Sequence, residues 1–228
     1  MEGGWPGKGL IPEWHHEGLR GVNMRFKFTA EEEALLAEVR EFLKREVTPE
    51  LVEETRRVEG IYGGTEARKF FKKFGPKGWL TPDWPKEYGG QGGTIWKEMV
   101  LLQELSYRGC PGMDLSIAQG EILTHFGTEE QKKRFVVPIT KGQVKWAIGM
   151  SEPNAGTDTF AVQLKAVEEA DCFVLNGQKI WTSGAHNAKW CMTYCRTDAN
   201  KHMGLSVLIV DLKSPGITMR RIEQATGI

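Results

Sequence analysis

The hydrophobic pattern of this chain changes its period near residue 144, and this change limits the folds open to it. Before residue 144, apolar residues recur at helical spacing, in stretches separated by loops rich in Gly and Pro. After it, short runs rich in β-branched and aromatic residues alternate with turn signals, which is typical of strands. Because helices precede strands and do not alternate with them, the order argues against a doubly wound sheet. We therefore predict a multidomain α+β chain, helical over 24–143 and all-β over 144–228.

Five helices are predicted in the first domain from apolar spacing and capping residues. Thr29 and Glu32 form a capping-box pattern, and an apolar face follows until Pro49 ends the run. The predicted helices cover residues 29–47, 65–74, 93–108, 114–126 and 129–140. Residues 1–23 lack periodicity and are rich in Gly, Pro and Trp. For them we expect a mobile extension, or an arm that lies on a partner.

Six runs of the second domain are predicted to be consecutive strands. Asn176-Gly177 is the strongest short hairpin signal among them, because both residues adopt the positive φ that a tight hairpin turn requires. The runs are "VKWAIGM", "TFAVQLKAVEE", "CFVLNGQKIWT", "AKWCMTYCRT", "GLSVLIVDL" and "ITMRRIE".

Charge and cysteine content exclude several classes of partner. The 30 basic and 30 acidic residues cancel, so the whole chain shows no electrostatic footprint for nucleic acid or anionic lipid. Four cysteines without a CxxC pair argue for reduced thiols and a cytoplasmic location. No apolar run approaches the roughly 20 residues that span a bilayer, and the N-terminus lacks a signal-peptide pattern. We expect a cytoplasmic protein with no membrane span.

Several catalytic motifs are missing from the sequence. The five histidines fit no metal-ligand spacing, so no metal site is predicted. No G-x-S-x-G motif surrounds a serine, which leaves nucleophilic hydrolysis without support. The run Gly89 to Gly93 does not satisfy G-x-G-x-x-G, and the "PDWPKEY" before it is not a buried strand. We predict a surface loop that enters a helix, not a dinucleotide site.

Two polar segments of the β domain form the candidate site. "SEPNAGTD", residues 151–158, offers backbone N–H groups and two hydroxyls, from Ser151 and Thr157. "KIWTSGAHNAKW", about thirty residues later, offers the flat face of Trp181 edged by further hydroxyls. If adjacent strand ends bring these segments together, they suit a planar, polar-edged heterocycle that carries phosphates. The alternative is a tryptophan that fills the core beside a capped turn, and the residues alone leave both open.

Ordered motifs then resemble the acyl-CoA dehydrogenase family of flavoenzymes. "WAIGMSEPNAGTD", "FVLNGQKIWTSGAHNAKW" and "GLSVLIVDLKSPGI" resemble its middle domain, whereas "GWLTPDWPKEYGGQGG" and "GTEEQKKRFVVPITKGQ" resemble its N-terminal helical domain. The resemblance runs from about residue 24 to the end. It implies FAD as cofactor, an acyl-CoA substrate oxidised to the trans-2-enoyl-CoA, an electron-transfer flavoprotein as acceptor, and a homo- or heterotetramer.

The resemblance also implies roles for particular residues. In the family the first bend lies along the pyrimidine edge of the flavin and places a hydroxyl, here that of Thr157, near the pyrophosphate and the substrate. The second segment covers one flavin face and hydrogen-bonds around N5, and Ser183 stands there where many members carry Thr. The residues so assigned to FAD are Ile148, Gly149, Met150, Ser151, Gly156, Thr157, Trp181, Thr182 and Ser183.

The sequence departs from the family pattern at "RRIEQATGI", where the chain stops. The family's middle domain continues into closing strands, and a further helical domain carries the Glu that abstracts the proton. The resemblance therefore implies an incomplete antiparallel β-barrel or sandwich, no catalytic residue in this chain, and no acyl-CoA oxidation by this chain alone. A fragment of a longer product, a subunit of a heteromeric enzyme, and an oxygen-using relative all remain open.

Overall fold

A computed structural model describes residues 28–57, 64–112 and 116–222. The predicted extension, 1–23, lies outside these ranges. All five predicted helical regions are helical, and the last of them contains a π-helical turn, Lys132–Val136. The helices are α1 (Ala30–Glu46), α2 (Pro49–Arg56), α3 (Thr65–Phe74), α4 (Ile95–Tyr107), α5 (Ser116–Phe126), α6 (Glu129–Gln131) and α7 (Val137–Thr140).

Helix α1 begins at the predicted capping box. The Glu32 N–H donates to Thr29 Oγ1 at 3.2 Å, and the Thr29 N–H donates to Glu32 Oε2 at 2.7 Å. We expect Thr29→Ala to lower the free energy of unfolding by about 1 kcal/mol, because a first-turn N–H loses its acceptor. Urea denaturation measures the change, and Thr29→Ser, which keeps the hydroxyl, should leave stability nearly intact. Equal losses in both variants would contradict the capping role.

Helix α2 is an element that the sequence analysis missed. Pro49 was predicted to end a helix, but it stands at the first position of the next one, where its fixed φ is favourable and no N–H is needed. Thr48 caps this helix by accepting the Leu51 N–H at 3.2 Å. Pro49 therefore marks the start of a helix and not only the end of the preceding one.

Two hydrophobic clusters hold the helices and the sheet together. The first lies inside the helical domain, where Phe42, Phe74 and Trp79 meet edge to face with centroids 5.3–5.9 Å apart. The second joins the two domains, because Phe135 of the π-helical turn packs on two tryptophans of the sheet. Its ring centroid lies 5.5 Å from that of Trp146 and 5.3 Å from that of Trp190. The helical domain therefore supports the sheet directly.

The sheet of the second domain has five strands among the described residues. Strand β4 pairs antiparallel with β5 along its whole length and parallel with β1 on its other edge. β2 and β3 form an antiparallel hairpin, and β2 meets β4 in parallel at one position. The α+β class with a helical domain first is confirmed, but the sheet is mixed and does not close into a barrel. The strands are β1 (Trp146–Gly149), β2 (Lys165–Glu169), β3 (Cys172–Asn176), β4 (Trp190–Arg196) and β5 (Leu205–Asp211).

The prediction of a hairpin turn at Asn176-Gly177 was wrong. The β2–β3 hairpin turns at Ala170, which has φ +49°, and β3 ends at Asn176. Gly177 has a different reason to be glycine, since a Cβ there would lie 2.8 Å from Leu164 Cα. The runs "QKIWT" and, as far as it is described, "ITMRRIE" are not strands either.

The glycine-rich loop over residues 89–93 is folded on itself. The N–H groups of all four of its glycines donate to carbonyl oxygens of residues 82–86 at 2.8–3.2 Å. A Cβ on Gly90 would lie 2.2 Å from the Trp84 carbonyl oxygen. These N–H groups are therefore engaged within the loop, and Gly90 serves close packing. In the part of the chain that is described, no helix combines the length and apolarity needed to cross a membrane.

Candidate functional site

The two segments of the candidate site meet in the structure. Strand β1 leads into the bend over 150–158, and the second segment follows β3. The Ile180 N–H donates to the Ser151 carbonyl at 2.9 Å, and this hydrogen bond joins the two segments directly. Trp181 is the next residue along the chain. Segments 27 to 29 positions apart are thus held side by side.

A buried ion pair reinforces this junction. Lys179 Nζ lies 2.8 Å from Glu152 Oε1 and donates to the Met150 carbonyl at 3.2 Å. The Glu152 carboxylate also accepts the N–H groups of Gln163, at 2.7 Å, and Leu164, at 2.9 Å. The two charged side chains are only 11% and 7% exposed. The carboxylate is therefore fully engaged in structure, so we do not nominate Glu152 as a catalytic base.

The environment of Glu152 sets its pKa. Burial acts to raise the pKa, but the hydrogen bond from Lys179 and the two backbone N–H groups outweigh burial and hold it below its ordinary value of 4.5. A carboxyl group with a lowered pKa in the folded state stabilises the fold above the unfolded-state value. That contribution is lost as the pH falls through the lower, folded-state pKa.

We expect the melting temperature to fall on acidification below pH 4.5, in part because Glu152 becomes protonated. Glu152→Gln removes this group, so its melting temperature should start lower at neutral pH and then depend less steeply on pH. Thermal melts of both proteins from neutral pH to pH 3 measure the difference. Parallel pH profiles for the two proteins would contradict the assignment.

Trp181 has an unusual backbone conformation and an exposed side chain. Its φ is +58°, the left-handed region, which costs a residue with a Cβ about 1–2 kcal/mol. Strained residues persist only where the surrounding structure holds them, and they cluster at functional sites. The residue is also 63% exposed, so it does not fill the core. This exposure removes the structural alternative left open by the sequence.

The residue after the tryptophan carries an unsatisfied polar atom. Thr182 Oγ1 is buried and has no hydrogen-bond partner among the described residues. A buried hydroxyl without a partner is costly, and such groups in native structures call for an explanation. The Ser183 hydroxyl beside it is on an exposed residue. The flat apolar face of the indole and the two hydroxyls therefore lie side by side along this segment.

A groove of about 1870 Å³ runs along this segment. Its walls come from β3, residues 177–186, the end of β5 and residues 214–222, and Cys191 and Thr193 of β4 are buried within it. Four of the nine predicted site residues line it, namely Gly149, Trp181, Thr182 and Ser183. Ile148, Met150 and Ser151 are half-buried in the adjoining backbone, and Gly156 and Thr157 are exposed farther along the bend. The site set predicted from sequence is therefore brought together in part.

Sequence reasoning predicted Gly149 as a site residue but missed Lys179, which packs beside it in the groove. A side chain at Gly149 would be tightly packed, because a Cβ would lie 3.2 Å from Cys191 Sγ and 3.3 Å from Lys179 Cγ. The signal for Lys179 was present in the sequence, as a lone cation two residues before the tryptophan. Its partner is 27 positions away, and only the pairing of strands reveals the contact.

Comparison with known proteins gives the class of the chain. Residues 29–143 match the family described as acyl-CoA dehydrogenase, N-terminal domain, and residues 147–228 match the acyl-CoA dehydrogenase middle domain. This chain therefore belongs to the acyl-CoA dehydrogenase family. The order of the two domains agrees with the helical domain and the mixed sheet described above.

Individual relatives agree with this assignment. The chain is 36% identical over 211 residues to acyl-CoA dehydrogenase FadE26 of Mycobacterium tuberculosis, which covers 90% of this chain and 53% of the relative. A solved structure titled Tcur3481-Tcur3483 steroid ACAD is 39% identical, with a TM-score of 0.78 over 90% of this chain and 53% of that one. The ChsE4-ChsE5 complex of M. tuberculosis is 35% identical, with a TM-score of 0.77 over 90% and 52%. The chain thus spans about half the length of the proteins it matches.

Proposed function

We propose that this chain supplies the flavin-binding part of an enzyme that oxidises an acyl-CoA thioester to the trans-2-enoyl-CoA with FAD. The observation that carries the proposal is the pairing of Trp181, strained and exposed, with the unsatisfied hydroxyl of Thr182 on one wall of the groove. A planar ring with a polar edge fits that pair, because it offers a face to the indole and an acceptor or donor to the hydroxyl.

The residues of the two segments divide the binding of FAD in this proposal. The backbone of residues 148–151 would hold the pyrimidine edge of the flavin, and Trp181, Thr182 and Ser183 would cover one face and the region of N5. Gly156 and Thr157, exposed on the bend, are accessible to the pyrophosphate, and Thr157 also to the substrate. FAD would supply the hydride-accepting chemistry, whereas the chain supplies orientation and electrostatics.

Proton abstraction is assigned to a residue outside this chain. Glu152 is the carboxylate at the junction of the two segments, but its oxygens are engaged by Lys179 and by two backbone N–H groups. A general base needs a free position within hydrogen-bond reach of the proton that it removes. We propose that the base and the rest of the acyl-CoA site come from polypeptide corresponding to the other half of the relatives.

A second candidate is a subunit that completes a heteromeric dehydrogenase. Two similar structures favour it, because the ChsE4-ChsE5 complex and the Tcur3481-Tcur3483 steroid ACAD each carry two component names. Apolar side chains of the open sheet, including Phe173, Val174 and Val207, are more than 40% exposed and would be covered by such a partner. In either case we propose an assembly of four subunits and an electron-transfer flavoprotein as acceptor.

The test is a titration of the enzyme that contains this chain. We expect the purified enzyme to retain one FAD for each copy of this chain. We also expect the flavin absorbance to bleach when a saturated acyl-CoA is added in the absence of oxygen. Failure to retain FAD and failure to bleach would overturn the proposal. The mass of the purified complex by light scattering separates a homo-oligomer from a heteromeric enzyme.

A pair of matched tryptophan variants tests the site itself. We expect Trp181→Ala to weaken FAD binding about fivefold or more, because base–aromatic stacking of this kind is worth about 1–3 kcal/mol. Trp96→Ala is the control, since Trp96 is 61% exposed but lies on α4, away from the groove. Isothermal titration with FAD measures both. Similar affinities for the two variants would place the flavin elsewhere.

A further inference from the structure

The ion pair between Lys179 and Glu152 stands at the junction of both site segments, yet neither residue has a role in the function proposed above. We propose that this pair is a positioning clasp that holds Trp181 in its left-handed conformation and fixes the two segments at the separation a flavin needs. The part of this inference that concerns FAD rests on the proposed function. The part that concerns backbone strain stands on geometry alone.

The contacts of three successive residues carry the first step. Lys179 is bound to the bend through Met150 and Glu152, and Ile180 is bound to the bend through Ser151. Trp181 follows with φ +58°. The chain is therefore held at two consecutive residues immediately before the one that is strained. Among the described residues, these are the hydrogen bonds that hold the chain just before residue 181, and the Trp181 carbonyl itself accepts the Ser183 N–H at 2.9 Å. We expect loss of the bonds to Lys179 to favour relaxation of residue 181 to negative φ.

The other end of the clasp is anchored in the sheet. Glu152 accepts the N–H groups of Gln163 and Leu164, and Leu164 is buried. The Leu164 carbonyl in turn accepts the N–H of Arg196, at the end of β4, at 2.7 Å. Hydrogen bonds that continue into the β4 backbone thus oppose the relaxation of residue 181 from its strained conformation.

The chemistry of the pair favours positioning over stability. Removing two charges from water costs so much that a buried ion pair adds little net stability compared with apolar side chains of similar size. It does define one geometry, because the charges and their hydrogen bonds are satisfied only at one separation. A single defined separation between the two segments is what the binding of a rigid ring requires.

The chain offers a matched control on the same bend. Lys201 Nζ lies 3.2 Å from Asp158 Oδ2, and these side chains are 60% and 53% exposed. Lys201→Met therefore removes the same kind of charge from a side chain that pairs with the same bend, without touching the clasp. Lys179→Arg keeps the charge, and the double variant Lys179→Met with Glu152→Gln leaves no charge buried without a partner.

The first experiment measures FAD in the enzyme that contains this chain. We expect Lys179→Met and the double variant to weaken FAD binding about tenfold or more and to alter the visible circular dichroism of the flavin. Lys201→Met should stay within about twofold of wild type, and Lys179→Arg should recover part of the loss. Unchanged FAD affinity and dichroism in both clasp variants would overturn the positioning role.

The second experiment needs no FAD, so it decides the clasp separately from the proposed function. Trp181→Gly relieves the strain, and we expect it not to lower the melting temperature. Lys179→Met should lower the melting temperature by roughly 6 °C or more in the Trp181→Gly background, but by clearly less in wild type, because there the strain released at residue 181 offsets part of the loss. Equal losses in both backgrounds would show that the pair does not bear on residue 181. If wild type binds no FAD while the two losses differ, the function fails and the clasp stands.

Discussion

Replacing Phe74 by alanine is expected to lower the free energy of unfolding by about 3–5 kcal/mol, the usual cost of removing a fully buried phenylalanine. Phe74 has no exposed surface, and its ring centroid lies 5.3 Å from those of Phe70 and Trp79. Together with Phe42 of α1, these rings come from three different parts of the helical domain. They cannot close around the space without breaking the other edge-to-face contacts. Urea denaturation followed by circular dichroism measures the loss.

Phe126→Ala is the matched control for this substitution. Phe126, the last residue of α5, is 86% exposed, so the same change should move stability by no more than about 0.5 kcal/mol. Comparable losses at the two positions would contradict the description of the aromatic cluster as the core of this domain.

Gly142→Ala is expected to cost about 2–5 kcal/mol, from backbone strain and steric overlap together. Gly142 has φ +63°, and a Cβ there would lie 2.5 Å from the carbonyl oxygen of Phe71 in α3. Neither atom can move freely, since one belongs to a helix backbone and the other to the link between α7 and β1. The variant should therefore shift the sheet, and the site on it, relative to the helices.

Gly92→Ala separates strain from overlap. The φ of Gly92 is +62°, almost the same as that of Gly142. The nearest atom to a new Cβ there, however, belongs to the flexible Lys86 side chain and lies 3.6 Å away. We expect only the conformational cost, about 1–2 kcal/mol. If thermal melts gave the two alanine variants the same stability, the close packing at Gly142 would not matter.

Local signals in the sequence predicted the helices well. The capping box at Thr29 and the helix over residues 65–74 lie where apolar spacing placed them. Pro49 misled because proline is unfavourable inside a helix and favourable at its first position, and the sequence does not show which applies. Asn176-Gly177 misled because glycine serves close packing as well as turns, and Leu164, its neighbour in space, is distant in sequence.

The strand pairing and half of the site depended on contacts that the sequence does not show. The parallel pairing of β1 with β4 joins residues 44 positions apart at Trp146 and Trp190, and no turn signal reports it. Trp181 and Thr182 could be predicted because a flat apolar residue next to hydroxyl residues is a pattern of adjacent positions in the sequence. Lys179 and Glu152 were not paired in advance, since their contact depends on that fold. The strain at Trp181 is likewise a property of the folded backbone.

A crystal structure of the FAD-loaded enzyme that contains this chain tests the central claim most directly. We expect the isoalloxazine ring in van der Waals contact with the indole of Trp181 and hydrogen-bonded to the backbone of residues 148–151. A flavin bound away from both segments, with the indole free of it, would contradict the proposed site.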